Sequence, residues 1–121
     1  RANRLALDVT DACLAEGLSD KGYMMYEKKG GRTTGHASWW GQIETMIACV
    51  NAWQISGNDV YLQSADTVWT FVKDCMIDRE YGEWYSDCFD GEPKKDTPKV
   101  SMWRCPYHTV RLRVEIHNRL K

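Results

Sequence analysis

The sequence has no excess of either charge: 16 Lys and Arg stand against 17 Asp and Glu, a formal net charge of −1, with the signs mixed along the chain and no basic block. A phosphate backbone would find no electrostatic footprint here, so nucleic acid is excluded as a partner class. No apolar run approaches the roughly 18 residues of a membrane span, and the first residues, with Arg1, Arg4, Asp8 and Asp11, do not read as a signal peptide. Together these absences lead us to expect a soluble, cytoplasmic chain. There is no C-x-x-C pair among Cys13, Cys49, Cys75, Cys88 and Cys105, and their number is odd, so free or buried thiols are expected in place of a disulfide framework or a zinc site. An initiator methionine is also lacking, and the chain opens inside an amphipathic pattern, as the interior of a longer polypeptide would. The 121 residues suffice for one domain with a single core and are too few for a second.

What the chain has in abundance is aromatic, with six tryptophans and six tyrosines. Such density often only fills a core, but an indole face also stacks well on the C–H face of a pyranose, which admits carbohydrate as a ligand class.

Periodicity describes three helices with long loops between and after them. Leu5, Val9, Ala12, Cys13 and Leu14 recur at helical spacing opposite Arg4, Asp8, Asp11 and Glu16, predicting an amphipathic helix over 2–16 with Gly17 as its C-cap. A second helix is expected from Ser38, a good N-cap residue, to Ile55, because Trp39, Ile43, Met46, Ile47, Val50 and Trp53 keep the i, i+3, i+4, i+7 rhythm; Gly57 ends it. Asn58 and Asp59 can cap a third helix, whose apolar stripe from Tyr61 to Met76 runs to about residue 77. So short a turn requires these two helices to lie antiparallel and packed.

Residues 19–37, with glycines at 22, 30, 31 and 35, read as a long loop in which Tyr23-Met24-Met25-Tyr26 forms a short extended piece. Residues 78–104 are polar and broken by Gly82, Gly91, Pro93 and Pro98. A loop of this length inside one domain is usually functional or disordered, and its tryptophans at 84 and 103 argue for function.

Two stretches carry candidate chemistry. Trp39-Trp40-Gly41-Gln42-Ile43-Glu44 sets Trp40 and Glu44 four residues apart, on one face of the second helix. An aromatic platform beside a carboxylate suits a sugar, one stacking on the ring and the other accepting hydroxyl hydrogen bonds. Taken alone, the same pair reads more readily as a core tryptophan and a solvated glutamate. In Trp103-Arg104-Cys105-Pro106-Tyr107-His108 an aromatic precedes a helix whose first turn holds a histidine. The positive end of the helix dipole disfavours an imidazolium, which suits a neutral base. A lone histidine is more often structural, and His36 and His117 are assigned that reading.

These pieces occur together and in order. Trp39-Trp40-x-Gln42-x-Glu44, Ala52-Trp53-Gln54-Ile55-Ser56-Gly57-Asn58 with Tyr61-Leu62, Asp78-Arg79-Glu80-Tyr81-Gly82-Glu83-Trp84, Pro98-Lys99-Val100 and the segment ending in Cys105-Pro106-Tyr107-His108 resemble the C-terminal third of the cellobiose 2-epimerase and N-acylglucosamine 2-epimerase family. The resemblance runs from about residue 20 to the end, and more loosely before that. It implies an all-α chain of about four helices with long loops, in which residues 1–121 are a partial domain, the C-terminal helical hairpins of an (α/α)6 barrel whose upstream helices are supplied by the rest of the polypeptide. It also implies a last helix from Pro106 to Leu120, where Val110, Leu112, Val114 and Ile116 alternate with Arg111, Arg113 and Glu115 in what would otherwise be a strand pattern.

The activity implied is C2 epimerisation of a mono- or disaccharide, with ring opening, abstraction of the C2 proton and its return through an enediolate, and with no redox cofactor or metal. By the same resemblance His108 is one of two catalytic histidines, Trp40 and Trp103 stack on the sugar, Glu44 bonds the substrate or orients the catalytic groups, and Arg111 supports them. The second histidine lies upstream of this chain. Thr109-Val110 stands where an Asn-Gly or Asn-Ser pair is expected, and His117 where an apolar residue is usual. The alternatives are an aldose-ketose isomerase of the same superfamily and a non-catalytic helical module that binds sugar through Trp40, Trp84 and Trp103. A glycoside hydrolase would need a pair of carboxylic acids, for which only Glu44 and Glu83 offer themselves.

Overall fold

The computed structural model describes residues 1–121. It contains four α-helices and five short strands: α1 (Ala2–Gly17), β1 (Glu27–Lys29), β2 (Arg32–Thr34), β3 (His36–Ser38), α2 (Trp39–Ser56), α3 (Val60–Phe71), β4 (Asp87–Phe89), β5 (Glu92–Pro93) and α4 (Tyr107–Arg119). Helix α2 is the centre of the packing, with α1, α3 and α4 all laid against it. Its ends are those expected: Ser38 Oγ accepts from Gly41 N–H at 3.4 Å, and Gly57, at φ 71°, donates its N–H to Trp53 O at 2.7 Å. Along its length Ile43, Met46 and Ile47 join Val68, Phe71, Val72, Met76, Trp84 and Leu112 in one apolar cluster. Cys49, Val50 and Ala52 join Tyr61 and Ala65 in a second. Each fully buried Ile or Val here contributes roughly 1.5–3 kcal/mol.

Four details depart from the periodic expectation. The chain is mostly helical but not all-α, because β1 and β2 form a hairpin over Gly30-Gly31 and β3, β4 and β5 form an antiparallel sheet. The long loops are therefore partly strand, built where glycine or Asp90 adopts positive φ and lets the chain reverse. The third helix ends at Phe71 and passes into a π-helical turn over Val72–Met76. Gly17 closes α1 without a left-handed cap: the chain leaves the helix extended at Leu18, and the Met24 side chain packs against Gly17. At the start of α3, Asn58 Oδ1 caps Val60 N–H, while Asp59 Oδ1 accepts from Trp53 Nε1 instead.

Helix α4 is a helix, and the alternation resolves once it is wound. Leu112 and Ile116, four apart, face the core, while Val110 and Val114 lie 58% and 50% exposed on another face. Leu5 and Val9 of α1 are likewise exposed. No helix is long and apolar enough to cross a membrane. All five cysteines are free; burial pushes the Cys49 thiol up to about 11 and the Cys88 thiol up to about 12, while Cys13 and Cys105 are exposed.

The loops are fixed by polar clamps. Gln42, fully buried, accepts from Met24 N–H at 2.8 Å and donates to Met24 O at 2.8 Å and Ser38 O at 3.0 Å. Asp78 accepts from the N–H groups of Glu80 at 2.9 Å and Tyr81 at 3.1 Å and pairs with Lys99, which also donates to Gly82 O. The strand β3, which leads into α2, pairs with β4, and Ser86 O accepts from Trp39 N–H at 2.9 Å, so the second loop is locked to the beginning of α2.

Gln42→Leu removes three hydrogen bonds and strands part-buried backbone groups; we expect a loss of about 2–4 kcal/mol in urea unfolding, and a loss below about 0.5 kcal/mol would contradict the clamp. The Lys99 hydrogen bond and the turn N–H groups hold the Asp78 carboxyl well below its ordinary value. A depressed folded value stabilises above the unfolded carboxyl range, near about pH 4, and that contribution is lost as pH falls toward the folded value. Asp78→Asn is therefore expected to be less stable at neutral pH and to lose less stability on acidification than the unmodified chain, as measured by melting temperature against pH.

Candidate active site

The first turn of α4 lies against the first turns of α2, and a carboxylate joins them. Glu44 Oε1 accepts from Arg111 Nη1 at 2.5 Å and lies 3.1 Å from His108 Nδ1. Burial pushes the Glu44 carboxyl up, but hydrogen bonds and charge from Arg111 and His108 outweigh it and hold the group below its ordinary value. The same bond raises the Arg111 guanidinium above its own. An ionised carboxylate can only accept, so Nδ1 carries the proton in this contact, and in the neutral ring Nε2 keeps a free lone pair.

The imidazole is neither buried in the core nor free in solvent: its side chain is 32% exposed, beside Glu44 and Arg111 at 36% and 31%. The rings that flank it are Trp39, edge-on at 6.2 Å between centroids, and Tyr107 at 5.1 Å. Trp40 lies one helical turn before Glu44 on α2 and Trp103 five residues before His108; both are exposed, by 44% and 88%. Of the residues singled out by sequence, the structure joins Glu44, His108 and Arg111 directly and leaves the two indoles as open surfaces on the same two segments.

Two residues at this site escaped the sequence reading. Trp39 was assigned to the helix stripe, and it does pack on the core, but its edge also meets His108. Arg104 is 5% exposed, with its guanidinium 4.8 Å over the Trp39 ring. Its signal was its place inside the Trp103 to His108 run. The other histidines lie elsewhere. His36 is stacked between Tyr26 and Phe89 with Nε2 3.5 Å from Asp87, and His117 lines an apolar groove of about 610 Å³ between α3 and α4, along with Leu62, Trp69 and Ile116. No group of three or more His, Cys, Asp or Glu side chains comes together in a way that could hold a metal ion.

Residues 2–111 match the family model described as N-acylglucosamine 2-epimerase (GlcNAc 2-epimerase). The chain is 43% identical over 83 residues to a cellobiose 2-epimerase of Ruminococcus albus, covering 67% of this chain and 21% of that protein. It is 37% identical over 110 residues to a cellobiose 2-epimerase of Bacteroides fragilis, covering 87% of this chain and 28% of that protein. A crystal structure of a sugar epimerase from a ruminal bacterium superposes with a TM-score of 0.90 at 33% identity, covering 97% of this chain and 30% of the other. The chain thus spans between a fifth and a third of the length of these relatives.

Glu44→Gln keeps the size of the side chain and removes its charge. The pairs are solvent-screened, so we expect global stability to fall by no more than about 1 kcal/mol. Amide exchange in the first turns of α4 is expected to quicken selectively, and a uniform change across all four helices would count against a local tether.

Proposed function

The chain belongs to the N-acylglucosamine 2-epimerase family, and from that premise we propose that it carries one side of the active centre of a sugar 2-epimerase, with His108 as a general acid/base. The observation that carries this reading is the contact between Glu44 Oε1 and His108 Nδ1 at 3.1 Å. It sets the tautomer, aims the ring and leaves Nε2 available, the arrangement a base needs when it must take a proton from carbon at neutral pH. In the proposed step a ring-opened aldose presents its C2–H beside the aldehyde. Nε2 takes that proton, the C–H electron pair passes into an enediolate, and a second group on the opposite face returns a proton to C2 with inverted configuration.

Trp40 and Trp103 then serve as the stacking faces for the sugar, and Arg111 holds Glu44 ionised. The second histidine and the remaining helices belong to the rest of the polypeptide, with these residues forming the C-terminal hairpins of an (α/α)6 barrel. The exposed apolar positions Leu5, Val9, Val110 and Val114 are consistent with helices meant to be covered. The substrate class is a mono- or disaccharide with a free reducing end. The relatives named cellobiose 2-epimerase favour the disaccharide.

The test is incubation with cellobiose, mannose and N-acetylmannosamine in D2O. The longer polypeptide is expected to form the C2 epimer with solvent deuterium at C2, and His108→Asn to lower turnover by about 10²–10⁴-fold. A ketose product would redirect the reading to aldose-ketose isomerisation, and sugar binding without turnover to a binding module. Epimerisation by these 121 residues alone would overturn the two-sided mechanism.

A further inference from the structure

Arg104 is a buried cation without a carboxylate partner. It is 5% exposed, and none of the ion pairs in the chain includes it. Burial pulls its guanidinium below the ordinary value, and the charges of Glu83 and Asp87 oppose that without pairing with it. Its partners are neutral: Nη1 donates to Ser86 Oγ at 2.5 Å and Nη2 to Trp84 O at 2.5 Å, while the planar group lies 4.8 Å over the Trp39 indole.

These contacts form a frame around one ring. Ser86 is bonded three times: its carbonyl accepts from Trp39 N–H at 2.9 Å, its hydroxyl accepts from Arg104, and the same hydroxyl donates to Pro98 O at 3.1 Å. The backbone of Trp39 and the cation on its face are therefore set by the same residue. Trp39 in turn packs against His108 nearly perpendicular to it, with 6.2 Å between ring centroids and 83° between planes. Arg104 is also four residues before His108 and turns the chain there, its N–H and carbonyl both paired with Ser101. It reaches the imidazole by two routes, through the indole and through the short connection to α4.

We propose that Arg104 is a positioning residue for proton transfer at His108: it fixes Trp39 as a wall against which the imidazole is aimed. The inference rests on the epimerase reading. An aiming role touches the rate of the chemical step and leaves sugar binding alone, because Arg104 lies beneath Trp39 while the exposed indoles at 40 and 103 offer the stacking surface.

The experiment compares Arg104→Met with the unmodified longer polypeptide on cellobiose. The expected result is a kcat lower by about 10- to 100-fold with KM moved less than about threefold. A folded Arg104→Met variant whose kcat stays within about twofold, or whose whole loss lies in KM, overturns the proposal. If that variant does not fold, Ser86→Ala decides: it removes one bond to the guanidinium and the hydroxyl's bond to Pro98 O, and keeps the backbone bond to Trp39. A kcat loss of about three- to tenfold supports the role, and an unchanged kcat overturns it. Unmodified protein without turnover sinks the epimerase reading itself, an outcome distinct from active protein indifferent to Arg104.

Discussion

The Glu44 carboxylate is the constraint on which the geometry of the site depends. One of its oxygens meets residues 64 and 67 positions further along the chain, and so joins the beginning of α2 to the beginning of α4. Helix α4 needs such a tether because it buries little, with Leu112 its one fully buried residue. At the far end Arg119 makes the matching attachment, donating to Asn51 Oδ1 at 3.1 Å and Gln54 Oε1 at 2.9 Å. The helix is held by polar clusters at its two ends and by Leu112 and Ile116 between them. Half-exposed pairs of this kind add little to stability. Their consequence is geometric: they decide where the first turn of α4, and with it the imidazole, sits.

The two long loops obey a common plan. Each leaves a helix, crosses back through an isolated bridge, Leu18 with Met24 in one and Ile77 with Trp84 in the other, and then enters a hairpin. Each is secured by a polar side chain at the turn, Ser19 accepting from Tyr23 N–H at 3.1 Å and Asp78 accepting from Glu80 and Tyr81. The first loop is then bound to α2 by Gln42, and the second by the pairing of β3 with β4 and by Arg104. No buried side-chain nitrogen or oxygen is left without a partner. Long polar connections become fixed walls in this way, since an unpaired polar group inside a domain costs more than its hydrogen bond returns.

The spans of α1 and α2, both caps of α2 and the free state of the cysteines were legible in the chain itself, because each depends on neighbours within a turn: Ser38 before an apolar rhythm, Gly57 after it; α4 was expected only through the family resemblance. The same locality explains the misreadings. Gly17 looked like a cap because the extended exit at Leu18, bridged to Met24, leaves no local trace, and the alternating valines of α4 looked like a strand because no neighbour shows which of them will face the core. Glu44 and His108 were recognisable as candidates by residue type and motif, and Arg111 through the family resemblance. Their meeting on one oxygen, the edge of Trp39 against the imidazole and the burial of Arg104 beneath that indole were settled only by the packing of α4 on α2, since contacts across more than sixty residues follow from how helices dock and leave no periodic trace in the sequence.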